Sequence, residues 1–209
     1  MIRILIVDDH PLIREGLKKV FKVEPDLEVV GDLARGTDAT DFILHHACDI
    51  VILDLNLPDR TGLDVLKDII ALKPGIKTLI LSIFPEELFA IRAIRAGAAG
   101  YITKDSVPEE LVKAVRRVMT GRRYISAELA EQLAIELTGS LSEPLYKKLS
   151  DREFQTLLLL GSGKTTSQVS SLLSICTSTV NTYKARIFEK MHFSSLSDLI
   201  RYVISHDLL

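Results

Sequence analysis

Three aspartates stand where apolar runs stop. In LIVDDH, Leu5 to His10, Asp8 and Asp9 follow a branched apolar run, and in VILDLNLPD, Val51 to Asp59, Asp54 takes the place of one more apolar residue. Ser82 closes TLILS with a hydroxyl, and Lys104 follows GYIT with a compact cation. Carboxylates brought close together repel unless a cation holds them. A set of hard oxygen ligands suits Mg²⁺ (or Mn²⁺), which keeps several waters and awaits a phosphate. Carboxylates, a divalent ion, a hydroxyl and a lysine together make a phosphoryl-transfer site. The ion and the lysine neutralise developing charge, and a carboxylate is the nucleophile.

The surrounding elements must bring these groups together. The β-branched runs RILIV, LEVVG, DIVILDL, KTLILS and GYIT alternate with segments of helical spacing. In PLIREGLKKVF the apolar positions Leu12, Ile13, Leu17, Val20 and Phe21 mark one helix face, and Leu63, Leu66, Ile69 and Ile70 mark another. Five strands alternating with five helices predict an α/β fold: a doubly wound five-stranded parallel sheet covered on both sides. Functional groups in such sheets gather outside the carboxyl ends of the strands. Strands one and three are neighbours in the common strand orders, so Asp8, Asp9 and Asp54 converge at one rim.

The 209 residues suffice for one large domain or two small ones, and a composition 47% hydrophobic and 26% charged is that of a globular protein with a sizeable core. No apolar run approaches the roughly 18–20 residues that cross a bilayer, and MIRILIVDDH is charged too early for a secretory signal. Cys48 and Cys176 lie far apart and form no metal-ligand spacing, which fits reduced thiols in the cytoplasm. The net charge of −2 conceals an asymmetry. Residues 1–145 hold 18 Lys+Arg against 23 Asp+Glu, or −5, while residues 146–209 hold 8 against 5, or +3. Two modules with different partners are expected.

After residue 120 the pattern changes. AELAEQLAIEL (127–137) is amphipathic, TGSLSEP (138–144) breaks it as an interdomain linker, and short helices are expected over 150–160, 165–173, 177–191 and 195–206. GSGKTT, Gly161 to Thr166, is not a P-loop. Leu158 stands where that pattern needs its first glycine, and DREFQTLLLL before it reads as a helix rather than a strand. The glycines instead make a turn between helices, with Thr165 or Thr166 as the next N-cap. Val169, Leu172 and Leu173 then form an inner face, and Thr177 or Ser178 caps a longer helix whose Val180, Tyr183, Ile187 and Met191 point inward, Tyr183 only partly. Asn181, Thr182, Lys184, Ala185 and Arg186 occupy its other face, a composition suited to a major groove. His45 and His46 read as a solvated pair, and His10 reads as a loop cap rather than a metal ligand.

ILIVDDHPLIREGL, DIVILDLNLPDRTGLDVL, LILS and AGAAGYITKD together resemble the receiver domain of bacterial two-component response regulators. The resemblance implies a flavodoxin-like receiver over residues 1–121. Asp54 would take a phosphoryl group from a sensor histidine kinase. Asp9, Asp54 and the backbone carbonyl of Asn56 would bind the ion directly, and Asp8 largely through water. Lys104 would pair with the phosphoryl group, Ser82 would swing inward to it, and Tyr101 would turn inward after Ser82. LSDREFQTLLLL and TSTVNTYKARIFEKM resemble the LuxR-type four-helix, helix-turn-helix DNA-binding domain, over 148–209, with 122–147 as linker. This second resemblance implies a recognition helix beginning near Ser178 and Thr179, and Lys164, Thr165, Lys184, Arg186 and Lys190 as phosphate contacts. It also implies a homodimer formed on phosphorylation and bound to double-stranded DNA, the last helix pairing part of its apolar face with a second copy.

Two other functions would use parts of the same residue set. An aspartate-nucleophile phosphatase would carry a second acid where this chain has Asn56, and it commonly has a cap domain that the sequence does not offer. A binding-only adaptor would use the tail on protein rather than DNA.

Overall fold

The computed structural model describes residues 1–106, 108–137 and 144–208. The linker stretch expected at 138–144 lies outside them except for Pro144. The chain divides into two compact units, Met1–Gly139 and Ser140–Leu209.

The first unit is α/β. Strands β1 (Ile2–Val7), β2 (Leu27–Leu33), β3 (Ile50–Leu53), β4 (Lys77–Ser82) and β5 (Gly100–Thr103) form one sheet in the order β2-β1-β3-β4-β5. Every pairing in it is parallel. Helices α1 (Pro11–Lys22), α2 (Gly36–His45), α3 (Gly62–Leu72), α4 (Glu86–Arg95) and α5 (Pro108–Met119) connect the strands, and α6 (Ala127–Leu137) follows. A parallel sheet covered on both faces needs apolar residues on both, and β1 and β3 supply them: Ile4 to Val7 and Ile50 to Leu53 are all buried. The register aligns Val7 with Leu53 and Leu53 with Ile80, so β1 and β3 end level while β4 runs two residues further to Ser82. Beyond residue 120 the chain returns to the free edge of β5, where Tyr124 pairs with Gly100 and its phenol donates to Glu110 at 2.9 Å.

The helix faces follow the expected stripes with one exception in α1. Leu17 and Phe21 are buried, but Leu12 is 87% exposed. Ile13, Leu17, Val20 and Phe21 recur every three or four residues. Leu12 does not extend that spacing back to Leu17, and it falls on the outer side.

The second unit is all helix: a 3-10 turn (Leu145–Lys148), then α7 (Asp151–Gly161), α8 (Thr166–Leu172), α9 (Thr177–Met191) and α10 (Leu196–Ser205). Capping boxes start three of these helices, at Ser150 with Glu153, Thr165 with Gln168 and Ser195 with Asp198. Between α7 and α8, Gly163 adopts φ +80, the turn geometry expected of GSGKTT. Two details depart from expectation. Leu172 is 38% exposed, and Val169 and Leu173, four residues apart, hold the inner face of α8 without it. The N-cap of α9 is Cys176, because Thr177 and Ser178 are already helical; the Cys176 sulfur lies 3.0 Å from Ser178 Oγ and 2.9 Å from Thr179 Oγ1.

Candidate functional site

The three aspartates meet at the carboxyl rim. Asp54 lies one residue past β3, its N–H donating to the Val7 carbonyl of β1 at 2.8 Å. Asp8 lies one residue past β1, its N–H donating to the Leu33 carbonyl of β2. Both are buried. Ligand-capable atoms of Asp8, Asp9, His10 and Asp54 all fall within 4.8 Å of one another. The loop after β3 turns back tightly: a Cβ on Gly62 would stand 2.1 Å from the Asp54 carbonyl oxygen, so α3 starts directly beneath the site.

Lys104 joins the cluster from β5. Its ammonium lies 2.6 Å from Asp8 Oδ2 and 2.7 Å from Asp54 Oδ2. Asp54 Oδ1 also accepts from the backbone N–H of Asn56 at 3.1 Å. Burial pushes the Asp54 carboxyl up to about 6, against the pull of Lys104 and with Asp8 adding to the rise. Burial also works against the charged form of Lys104, but Asp54 and Asp8 outweigh it and hold the ammonium above its ordinary value. Three carboxylates face one ammonium, a formal charge of −2 for these four side chains. One divalent cation balances that charge, and a set of carboxylate oxygens is the donor chemistry that Mg²⁺ prefers. Asp8, Asp9 and Asp54, with Asn56 adjacent, fit such an ion.

The outer parts of the site lie beside Asp54. Ser82, at the end of β4, is fully buried, and its hydroxyl accepts from the Phe84 N–H at 3.2 Å. Tyr101 on β5 is the residue expected to turn inward once Ser82 moves. It is already inward, 2% exposed, with its hydroxyl donating to the Phe84 carbonyl at 2.9 Å. That bond satisfies the polar end of a ring packed under α4. Burial raises the Tyr101 phenol, so it stays a donor across physiological pH.

The sequence reading missed His10 as a member of the acidic group. Its Nδ1 lies 2.6 Å from Asp9 Oδ1 and 3.3 Å from Asp8 Oδ1. The only signal available was its position directly after the acidic pair.

In the second unit, α8 and α9 form the two helices of a helix-turn-helix. Ser178, Asn181, Thr182, Ala185 and Arg186 are exposed on α9, while Val180, Ile187 and Met191 are buried. Lys164 and Thr165 are exposed in the turn before α8, and Thr179 is partly exposed. The Lys184 ammonium lies 5.5 Å from the centre of the Phe188 ring. Lys190 is engaged elsewhere: it lies 2.6 Å from Glu153 Oε2, whose side chain is almost fully buried at the start of α7. That pair ties the end of α9 to α7. Burial opposes ionisation of Glu153, but Lys190 and the Ser150 cap outweigh it and hold the carboxyl below its ordinary value. A depressed carboxyl contributes stability that is full above its unfolded value near about 4.3 and is lost as pH falls through the folded value. Glu153→Gln is therefore expected to lower the melting temperature at pH 7, and the gap to the parent should close below about pH 4. Thermal melts across pH check this; a pH-independent gap would contradict it.

Fold and site define a doubly wound α/β unit with an acidic carboxyl rim, followed by a helix-turn-helix. Residues 4–116 match the response regulator receiver domain family, and residues 147–203 match the luxR family of bacterial regulatory proteins. The chain belongs to the two-component response regulators with a LuxR-type DNA-binding domain. It is 32% identical over 209 residues to the response regulator UvrY of Escherichia coli K12, covering all of this chain and 96% of that one. It is 34% identical over 210 residues to the response regulator GacA of Pseudomonas aeruginosa, covering all of this chain and 98% of that one. A LuxR-family two-component response regulator from Aurantimonas sp. SI85-9A1 superposes with a TM-score of 0.59 at 36% identity, covering 65% of this chain and 97% of that one. RcsB from Salmonella enterica serovar Typhimurium, solved bound to a promoter with phosphomimetic BeF3−, shares the fold with a TM-score of 0.64 at 22% identity. That match covers 98% of this chain and all of RcsB. No described helix is long and apolar enough to cross a membrane.

Proposed function

We propose that a sensor histidine kinase phosphorylates Asp54, and that this promotes dimerisation and sequence-specific DNA binding that regulates transcription. The observation carrying this reading is the Lys104 ammonium seated between Asp8 and Asp54 at the rim of the sheet. Lys104 orients one oxygen of Asp54 and the Asn56 N–H holds the other, so the carboxylate is fixed for attack on phosphorus. A divalent ion held by Asp8, Asp9, Asp54 and the Asn56 carbonyl would supply charge neutralisation for the transferred group. Lys104 is placed to pair with the same group.

Phosphorylation turns a carboxylate of −1 into a group of about −2 with three strong acceptor oxygens. A donor at the neighbouring strand end is the Ser82 hydroxyl, which accepts from the Phe84 N–H in this structure. Ser82 turning to the phosphoryl group releases the Phe84 N–H, and the Phe84 carbonyl is the one that holds Tyr101. The response is then a rearrangement of the 82–84 segment about an inward Tyr101. We read residues 1–121 as the receiver, 122–147 as the linker and 148–209 as the DNA-binding domain. Leu196 and Ile204, 40% and 60% exposed on α10, are the apolar positions left for a second copy. A dimer doubles the phosphate contacts of a tail, residues 146–209, whose own net charge is only +3. The protein acts as a switch rather than a turnover enzyme, and it works in the cytoplasm.

Selection of genomic fragments by the full chain, with and without acetyl phosphate and Mg²⁺, tests the reading. Donor-dependent retention of a defined fragment set is expected. Retention of none would favour the adaptor, and sustained phosphate-ester turnover would favour the phosphatase. Within the interface, Lys184→Ala should weaken binding to all sequences alike and reduce the salt slope by about 1. Titration at several salt concentrations reads this, and an unchanged slope removes Lys184 from the phosphate contacts.

A further inference from the structure

We infer that His10 supplies an imidazole nitrogen to the divalent site, so that the site holds a borderline transition ion such as Mn²⁺ or Co²⁺ more tightly than its carboxylates alone would. The inference rests on the acidic metal site proposed above and concerns which ion that site selects.

The backbone places the ring. His10 is the N-cap of α1, with φ −86 and ψ 110, and Pro11 follows it at the first helical position. Its N–H donates to Asp8 Oδ1 at 2.8 Å, and its carbonyl accepts from the Ile13 and Arg14 N–H groups. Arg14 fixes the other side of the turn, donating to the Asp8 carbonyl at 2.6 Å and to Asp32 on β2 at 3.0 Å. The ring is thereby turned back over the carboxylates rather than out along the helix.

The spacing suits shared coordination. His10 Nδ1 lies 2.6 Å from Asp9 Oδ1 and 3.3 Å from Asp8 Oδ1. Adjacent ligands of an octahedral ion bound at about 2.1 Å stand about 3 Å apart. Imidazole is a borderline donor that favours transition ions, whereas Mg²⁺ prefers oxygen and keeps water in such positions. The ring is 55% exposed, against 2% for Asp8 and 12% for Asp9, so it stands on the solvent side of the carboxylates. The same contact has another use, as a hydrogen bond from the imidazole to Asp9. That use predicts the opposite behaviour, because removing the ring would free the carboxylate and tighten both ions.

The test uses the full chain, His10→Asn and Asp54→Ala. Mn²⁺ binding is followed by electron paramagnetic resonance and Mg²⁺ by competition. In the parent, pulsed measurements should show a nitrogen nucleus coupled to Mn²⁺, changed in kind when histidine is labelled with ¹⁵N. In His10→Asn that coupling should vanish and Mn²⁺ affinity should fall by roughly tenfold or more, with Mg²⁺ affinity little changed. Asp54→Ala should lose the specific Mn²⁺ site, which separates it from the four other histidines of the chain. Absence of histidine coupling in the parent, or equal responses of both ions to His10→Asn, overturns His10 as a ligand and leaves the acidic site standing. Failure of the parent to bind either ion removes the acidic site itself and the inference with it.

Discussion

Asp54→Asn is expected to take up no phosphoryl group from acetyl phosphate and to lose the whole donor-dependent gain in dimerisation and DNA affinity. The loss is complete rather than graded, because an amide nitrogen and a carbonyl oxygen do not replace an ionised nucleophile. The fold should persist. Asn keeps the volume of Asp, the backbone bond from the Asp54 N–H to Val7 is unaffected, and Lys104 retains Asp8 as its counter-charge. Removing a carboxylate whose ionisation burial disfavours also relieves the site. The melting temperature should therefore hold or rise while the response disappears. Sedimentation and DNA titration, each with and without donor, read the two halves of this result. A donor response surviving in Asp54→Asn would place the acceptor elsewhere.

Lys104→Ala has the largest expected effect on stability. It leaves Asp8 and Asp54 buried with no ammonium between them. Stripping one partner from a buried ion pair costs about 3–5 kcal/mol, a fall in melting temperature on the order of 10 °C. The sign of its pH dependence follows from Asp54. A carboxyl raised above its unfolded value binds more protons in the folded state between the two values, so stability declines as pH rises through that interval and is level above it. In the parent that interval runs from about 4 to about 6. Without Lys104 the raised value climbs further, so the deficit of the variant should be greatest at pH 8 and shrink toward pH 5. Saturating Mg²⁺ should restore more stability to the variant than it adds to the parent, since the ion supplies the missing positive charge. Melts at pH 5 and 8, with and without Mg²⁺, decide this. A variant as stable as the parent at pH 8 would mean that the lysine does not compensate the carboxylates.

Much of this arrangement was legible in the sequence because it is written locally. A branched run that stops on a polar side chain marks both a buried strand and its carboxyl end, and Asp8, Asp54, Ser82 and Lys104 each stand at such a stop. Thr165 is one of the two hydroxyls offered as the N-cap of α8, and the structure gives it a capping box with Gln168. The parts that escaped depend on backbone direction or on distant partners. Turning the His10 ring back over the acids requires the particular dihedrals ahead of Pro11 and the clamp from Arg14, which no spacing reveals. Lys190 reads as a free basic residue until Glu153, 37 residues away, is brought beneath it. Cys176 is not a usual capping residue, whereas the Thr177 and Ser178 hydroxyls after it are. By residue type Leu12 and Leu172 belong to apolar faces, yet each falls outside the stripe kept by neighbours spaced three or four residues apart. The inward Tyr101 depends on a carbonyl at Phe84 that only the folded β4–α4 connection presents.

The most direct measurement is the location of the phosphoryl group after the full chain is incubated with acetyl phosphate and Mg²⁺, by reductive trapping of the acyl phosphate and peptide mass spectrometry. A single acyl phosphate on the peptide containing Asp54, dependent on the divalent ion, is the predicted result. An unmodified Asp54, or modification spread over exposed carboxylates and indifferent to the ion, would contradict the account.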